Sequence, residues 1–296
     1  MKNNYINEEL PNMHEGNFIE DGYTIIRDAI SENTYIKAQN SVIQTLISLS
    51  NSIGLDFSTS SKKNNNIFNE LITILTQEHK PYDILKPVWK NLVHEEIIHA
   101  IFNEKRVFNF ISNLLGKDLC YQDDPSLTLN LPGISNPTQN YLFKGFHQEV
   151  WSGADIHTIQ FWTPLFQTAP SDGIALIKSS HLWGHIPHKN REPIHLPNNA
   201  VEIYSDLAIG DVIFFHSLLL HRSSIINING SPRLAIPCLL KNFRIPNHSF
   251  ETYRNWKIFS YSDLSHIDRR LGNHYLSPFR LIDLDNKNQN FDGGIK

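Results

Sequence analysis

The residues best suited to chemistry are two or three histidines, a glutamate and an arginine in the second half of the chain. His147-Gln148-Glu149 sets an imidazole and a carboxylate at i and i+2, which turns both to one face of an extended strand. Two ligands from one strand cover one side of an ion, so a further ligand must come from elsewhere. His216 and His221, at the end of Gly210-Asp211-Val212-Ile213-Phe214-Phe215 and just beyond it, compete for that place. Two histidines and one carboxylate on a single face leave three open positions, the donor pattern of oxygen-activating iron(II) sites. Two open positions suit a chelating keto acid and the third suits O2. Arg233 stands twelve residues past His221, at the head of the apolar run Leu234-Ala235-Ile236. A guanidinium there needs an anion, because burying an unpaired charge is costly. A structural Asp or Glu would serve, and so would the far carboxylate of a dicarboxylic co-substrate, which the planar fork grips with two hydrogen bonds. A His-x-Glu pair by itself is commonly a hydrogen-bonded surface pair, so order and context decide.

The elements that must position these groups fall into three stretches. Residues 1–118 read as mostly helical. Tyr23-Thr24-Ile25-Ile26, after Asp21-Gly22, is a predicted strand. Ser31 is a predicted N-cap, followed by Tyr35, Ala38, Val42, Leu46 and Leu49 at helical spacing, ending near Gly54. A polar run, 58–66, reads as a surface loop, and a second helix is expected over 67–78. Pro81 and Pro87 are expected to break the chain beyond that helix. One helix is expected from Trp89 to Leu115, closed by Gly116. From 119 to 243 short β-rich runs alternate with turn residues: 126–131, 157–162, 174–177, 211–215 and 233–240. That texture predicts a sandwich or barrel. The segment 244–296 has no clear period but holds Trp256, Phe259, Tyr261 and Phe279, so it is expected to pack on the barrel or cover its mouth. No repeat or linker divides the chain, and 1–296 reads as one domain.

Composition narrows the function classes. The 296 residues are 40% hydrophobic and 19% charged with a formal net charge of −4, ordinary for a soluble globular protein. No basic stripe appears, which argues against nucleic acid as a partner. No run approaches the length of a membrane span. The N-terminus shows no basic segment followed by an apolar one, hence no visible signal peptide. Cys120 and Cys238 lie in apolar surroundings and read as reduced, buried thiols, consistent with a cytoplasmic protein.

Several motifs, in order, resemble the phytanoyl-CoA dioxygenase-like (PhyH) oxygenases. They are Asp21 to Ile30, the His-Gln-acid triplet, and Trp162 fifteen residues past His147. Ser171 to Ile177, Ser179 to Gly184, Gly210 to His221 and Ser231-Pro232-Arg233 complete the series. The resemblance covers most of 18–243. It implies a double-stranded β-helix (jelly-roll, cupin-like) core with flanking helices, mainly β. By position it implies His147, Glu149 and His221 as ligands of iron(II), resolving the choice between His216 and His221. It implies Arg233 as the anchor of 2-oxoglutarate, with Ser223 and Trp162 as further contacts. The implied activity hydroxylates a small-molecule metabolite, with 2-oxoglutarate and O2 giving succinate and CO2. Glu149 departs from the family's usual Asp by one methylene, and its carboxylate argues against a halogenase.

For the substrate, Trp151 shares the face of Glu149 if the strand continues, and Tyr141, His181 and His185 are further pocket candidates. Lys144, Lys178 and Arg222 are candidate partners of an anionic substrate. Two rival classes are a non-redox jelly-roll metalloprotein, such as a cupin-like lyase or isomerase, and an inactive relative that only binds. The first of these usually carries extra histidines and has no need of Arg233. Oligomeric state is not legible in the sequence.

Overall fold

The helical expectations hold where cap and period agree. A computed structural model of the chain describes residues 14–55, 57, 63–123, 127–134, 144–167, 169–246 and 255–270. The helices are α1 (Phe18–Asp21), α2 (Glu32–Ser52), α3 (Asn64–Glu78), α4 (Pro81–His94), α5 (Ile97–Asn103), α6 (Lys105–Leu115) and α7 (Asp263–Arg270). The Ser31 side chain accepts from Thr34 N and starts α2, whose inward stripe is Ala38, Val42 and Leu46. Residues 58–62, most of the expected loop, lie outside the described residues.

Two helical expectations need correcting. Pro81 occupies the first turn of α4, where its missing N–H is harmless. Pro87 does not break that helix but lies inside it; the cost is one bond, to the Asp83 carbonyl. The single helix expected over 89–115 is three pieces. The chain breaks after α4, where Glu96 takes a left-handed φ of 57°, and again at Glu104, with ψ at 131°. No Gly or Pro marks either break.

The strands are β1 (His14–Glu15), β2 (Tyr23–Ile26), β3 (Leu119–Gln122), β4 (Thr128–Asn130), β5 (Ile159–Phe166), β6 (Ile174–Ile177) and β7 (His188–Lys189). They continue with β8 (Glu192–Pro193), β9 (Glu202–Tyr204), β10 (Val212–His216), β11 (His221–Ser223), β12 (Arg233–Asn242) and β13 (Trp256–Ser260). The major sheet runs β1-β2-β10-β5-β12-β3-β13, with β4 also on β12, and the minor sheet runs β11-β6-β9. Every pairing is antiparallel. Two antiparallel sheets with flanking helices form the expected jelly roll. β13, from the C-terminal segment, adds the edge strand beside β3; Phe279 lies outside the described residues.

Strand prolines sit where a donor can be missed. Pro237 pairs with β5, in the gap, among the described residues, between the stretches of β12 that meet β4 and β3. Pro164 lies beyond the residues of β5 that pair with β10. The helices pack on one face of the major sheet. Phe68 stacks on Phe166 at 4.1 Å between ring centroids, and Phe110 stacks on Phe214 at 4.6 Å. The other face turns toward the minor sheet. Asp211 joins β10 to the end of β2: its carboxylate accepts from Asp28 N at 2.9 Å and pairs with Arg27 at 2.7 Å.

Candidate metal centre

His147 is tied to β11 by the backbone. Its N–H donates to His221 O at 2.9 Å, and His221 N donates back to His147 O at 3.1 Å. Gln148 is extended, and its side chain points away from the site. Its amide donates to Gly184 O at 2.9 Å and Leu218 O at 2.6 Å and accepts from Ile186 N at 3.0 Å. Side chains 147 and 149 therefore share the opposite face, as the spacing predicts. The strand does not continue. Glu149 opens a 3-10 turn, Glu149–Ser152, which ends at Gly153 with a left-handed φ of 86°.

The ligand atoms of His147, Glu149 and His221 all lie within 4.8 Å of one another. Glu149 Oε1 is 3.6 Å from His147 Nε2 and 3.3 Å from His221 Nε2. The Nδ1 of His147 is 2.8 Å from Gly145 O, and that of His221 is 3.0 Å from Leu219 O. A carbonyl only accepts, so each Nδ1 carries a proton and each Nε2 is turned inward, the orientation of metal-bound imidazoles. Among the described residues, His147 Nε2 is buried with no hydrogen-bond partner. Burial, helped by neighbouring His221, pushes the His147 imidazole down to about 4, so it is neutral near pH 7. Burial pushes the Glu149 carboxyl up, but the two rings more than reverse this and leave it well below its ordinary value. A neutral His147 imidazole, the inward-facing ring of His221 and an ionised carboxylate fit a divalent cation, and the donor set fits iron(II).

Arg233 begins β12 and lines the same cavity. It is 1% exposed, yet among the described residues no carboxylate pairs with it. Of its five N–H donors, three are taken by Asp172 O, Gly173 O and Asn130 Oδ1. Among the described residues, Nε is buried without a partner. Burial, opposed by the more distant Asp172 carboxylate, brings its pKa down to about 10, so it stays charged. Gly173 is required here, because a Cβ would come within 2.2 Å of Ser205 O. Trp162 lies 5.3 Å from the guanidinium carbon.

The cavity wall thus brings together His147, Glu149, His221, Arg233, Trp162 and Ser223. Ser223 Oγ accepts from Lys144 N at 3.2 Å. Lys144 and Arg222 also line the cavity, and Arg222 is paired with Glu202. Other candidates lie elsewhere. Trp151, carried off by the 3-10 turn, stacks on His188 at 4.5 Å and does not line the cavity. His181 is buried away from it, with Nε2 2.9 Å from Ile19 O. His185 is exposed, and its ring is 6.0 Å from His188. Lys178 pairs with Asp21 at 3.1 Å. His216 turns away, 5.5 Å from the His181 ring. Tyr141 lies outside the described residues. Thr128 and Gln160 line the cavity and were not anticipated. The available signal was a polar residue two positions from Asn130 in one case and from Trp162 in the other.

A family model described as Phytanoyl-CoA dioxygenase (PhyH) matches residues 18–235. Among solved structures, the apo form of the non-heme monooxygenase ThoJ is similar at 16% identity and a TM-score of 0.53, covering 83% of each chain. The ThoJ–nickel complex is similar at 15% identity and a TM-score of 0.50, again covering 83% of each chain. At that identity the likeness concerns the fold. A comparison with curated proteins gives no match.

Proposed function

This chain belongs to the phytanoyl-CoA dioxygenase (PhyH) family, and from that premise we propose that it is an iron(II)- and 2-oxoglutarate-dependent oxygenase hydroxylating a small molecule. The observation that carries the reading is the pairing of two features in one cavity. A His-Glu-His donor set shares its walls with a buried guanidinium that no carboxylate contacts among the described residues. In this reading His147, Glu149 and His221 hold the metal. Arg233 takes the far carboxylate of 2-oxoglutarate, and Ser223 and Trp162 flank it. When bound, iron(II) and 2-oxoglutarate supply the oxidising chemistry, by which 2-oxoglutarate and O2 become succinate and CO2.

The chain's own part is to bind, orient and exclude water. The Gly145 and Leu219 carbonyls fix both imidazoles, so that each turns its Nε2 inward. The carbonyls of Asp172 and Gly173, with Asn130, aim the guanidinium before any ligand arrives. Phe215 and Ile174 line the cavity beside the donors as apolar wall. An unpaired buried Arg233 also favours this reading over a cupin-like lyase or isomerase. We further take 1–296 as one domain. The described residues contain no helix long and apolar enough to cross a membrane, and Cys120 and Cys238 are buried, in keeping with a cytoplasmic enzyme.

The test is spectroscopic. Metal-free protein given iron(II) and 2-oxoglutarate without oxygen is expected to develop the weak visible band of a keto acid chelated to iron(II). His147→Ala and His221→Ala should lack it. Iron binding without that band would overturn the proposal.

A further inference from the structure

The cavity wall holds four residues with formally charged side chains: Lys144, Glu149, Arg222 and Arg233. The proposed function employs Glu149 and Arg233. Arg222 is matched by Glu202 and also donates to the Tyr204 hydroxyl at 2.8 Å. Lys144 is left over. Among the described residues no carboxylate pairs with it, and no acidic residue stands between Asp124 and Lys144 in the sequence.

Register explains why Lys144 faces the cavity. It lies three residues before His147, and in an unbroken strand an odd spacing turns two side chains to opposite faces. His147 exchanges both backbone bonds with His221, so the next such pair in a regular antiparallel ladder would be Gly145 with Ser223. Instead Ser223 N donates to Lys144 O at 3.0 Å, and Lys144 N donates to Ser223 Oγ at 3.2 Å. The strand has slipped by one residue, as at a β-bulge. Lys144 thereby stands opposite Ser223, which shares the face of His221. The slip turns a cation toward the donors, and its charge is among those that lower the His147 imidazole.

The charges of the loaded centre cancel without Lys144. The two of iron(II) and that of Arg233 are matched by Glu149 and both carboxylates of 2-oxoglutarate. Lys144 is exposed, at the solvent end of a cavity whose apolar wall includes Ile174 and Phe215. One positive charge therefore remains at the entrance.

We propose that the substrate is a small carboxylic acid whose carboxylate accepts from the Lys144 ammonium, making Lys144 a specificity-determining residue. The inference rests on the oxygenase reading above and names the substrate class of that same site. One carboxylate meets one cation, and the rest of the molecule points inward past Ile174 and Phe215. A phosphate monoester, with close to two charges at neutral pH, would leave one of them unmatched.

The test uses the full chain loaded with iron(II) and 2-oxoglutarate without oxygen, and reads the shift of its visible band as probes are added. The probes are small carboxylic acids, hexanoate and phenylacetate among them, each beside its primary amide, with phenyl phosphate as the dianion. The acids should shift the band and, once oxygen is admitted, raise succinate release; the amides should do neither. Lys144→Met should weaken binding of the acids about five- to tenfold, as loss of a partly exposed charged hydrogen bond would. Lys144→Arg keeps the charge and should stay within about twofold of the parent. Added salt should weaken acid binding in the parent and scarcely in Lys144→Met. Acids that bind parent and Lys144→Met equally overturn this inference alone, as do amides that bind as well as acids, acids that leave the band unmoved, or phenyl phosphate binding more tightly than phenylacetate. So does a Lys144→Met protein whose 2-oxoglutarate affinity falls as far as its acid affinity, because the cation would then serve the co-substrate. A parent protein that shows no band overturns the oxygenase reading and this inference with it.

Discussion

The two faces of the major sheet are built from the same strands to different ends. Along β12, Leu234, Ile236, Cys238 and Leu240 belong to the core shared with the helices, while Arg233, Ala235, Pro237 and Leu239 face the other way. β5 repeats the pattern, with Ile159 and Phe161 toward the helices and Gln160 and Trp162 toward the cavity. The helical face is apolar and closed. The cavity face holds a carboxylate, imidazoles, a guanidinium and an amide whose polar atoms are only partly satisfied. Unpaired buried polar groups lower stability, and the helical face offsets them with aromatic and aliphatic burial. The strands separate these demands by period-two alternation, so binding can change on one face without repacking the other.

Substitutions sharpen or break this contrast. The largest effect is expected at the metal centre: Glu149→Ala should abolish succinate formation in a 2-oxoglutarate turnover assay while the thermal midpoint changes by a few degrees at most. A large drop in midpoint would mean that the cavity face also carries stability. Arg233→Met should next raise the KM for 2-oxoglutarate by at least about a hundredfold, as loss of a buried charge-assisted pair would. On the opposite face, Phe161→Ala removes a fully buried ring. It should cost about 3–5 kcal/mol in denaturant unfolding, with 2-oxoglutarate affinity unchanged in the folded fraction. Gln160→Leu replaces an unpartnered amide by an apolar group of like size and should be neutral or stabilising by about 1 kcal/mol in the same experiment. A clear loss of stability there would show that the amide is satisfied in solution.

The smallest effect is a pH slope at the rim of the helical face. Burial, and then the charges of His181 and His157, holds the His216 imidazole at about 4 against an ordinary 6.5. The unfolded chain therefore takes up this proton below about 6.5, and the folded one only near 4. Stability should fall as pH drops through that window. His216→Gln should flatten the slope, measured as the difference in denaturation midpoint between the two pH values.

The sequence exposed those parts whose cause is local. Ser31 as a cap, the stripe of α2, and the i, i+2 relation of His147 and Glu149 all follow from one or two residues. The partition of α4, α5 and α6 was hidden, because Glu96 and Glu104 carry no mark of the backbone they adopt. Trp151 was misplaced because nothing before Gly153 announces the 3-10 turn that rotates it out. Thr128 and Gln160 were invisible for another reason: their importance lies in partners they lack, which only the packed cavity reveals.

His147 and His221 exchange both backbone hydrogen bonds, so the distance between their rings is set by the chain and not by an ion. The conformational freedom that a metal would otherwise have to remove is already lost when the protein folds. An emptied centre is then a finished socket. Divalent ions should come and go without local refolding, and the cellular supply of each, weighed against its ligand preference, should set which one is seated.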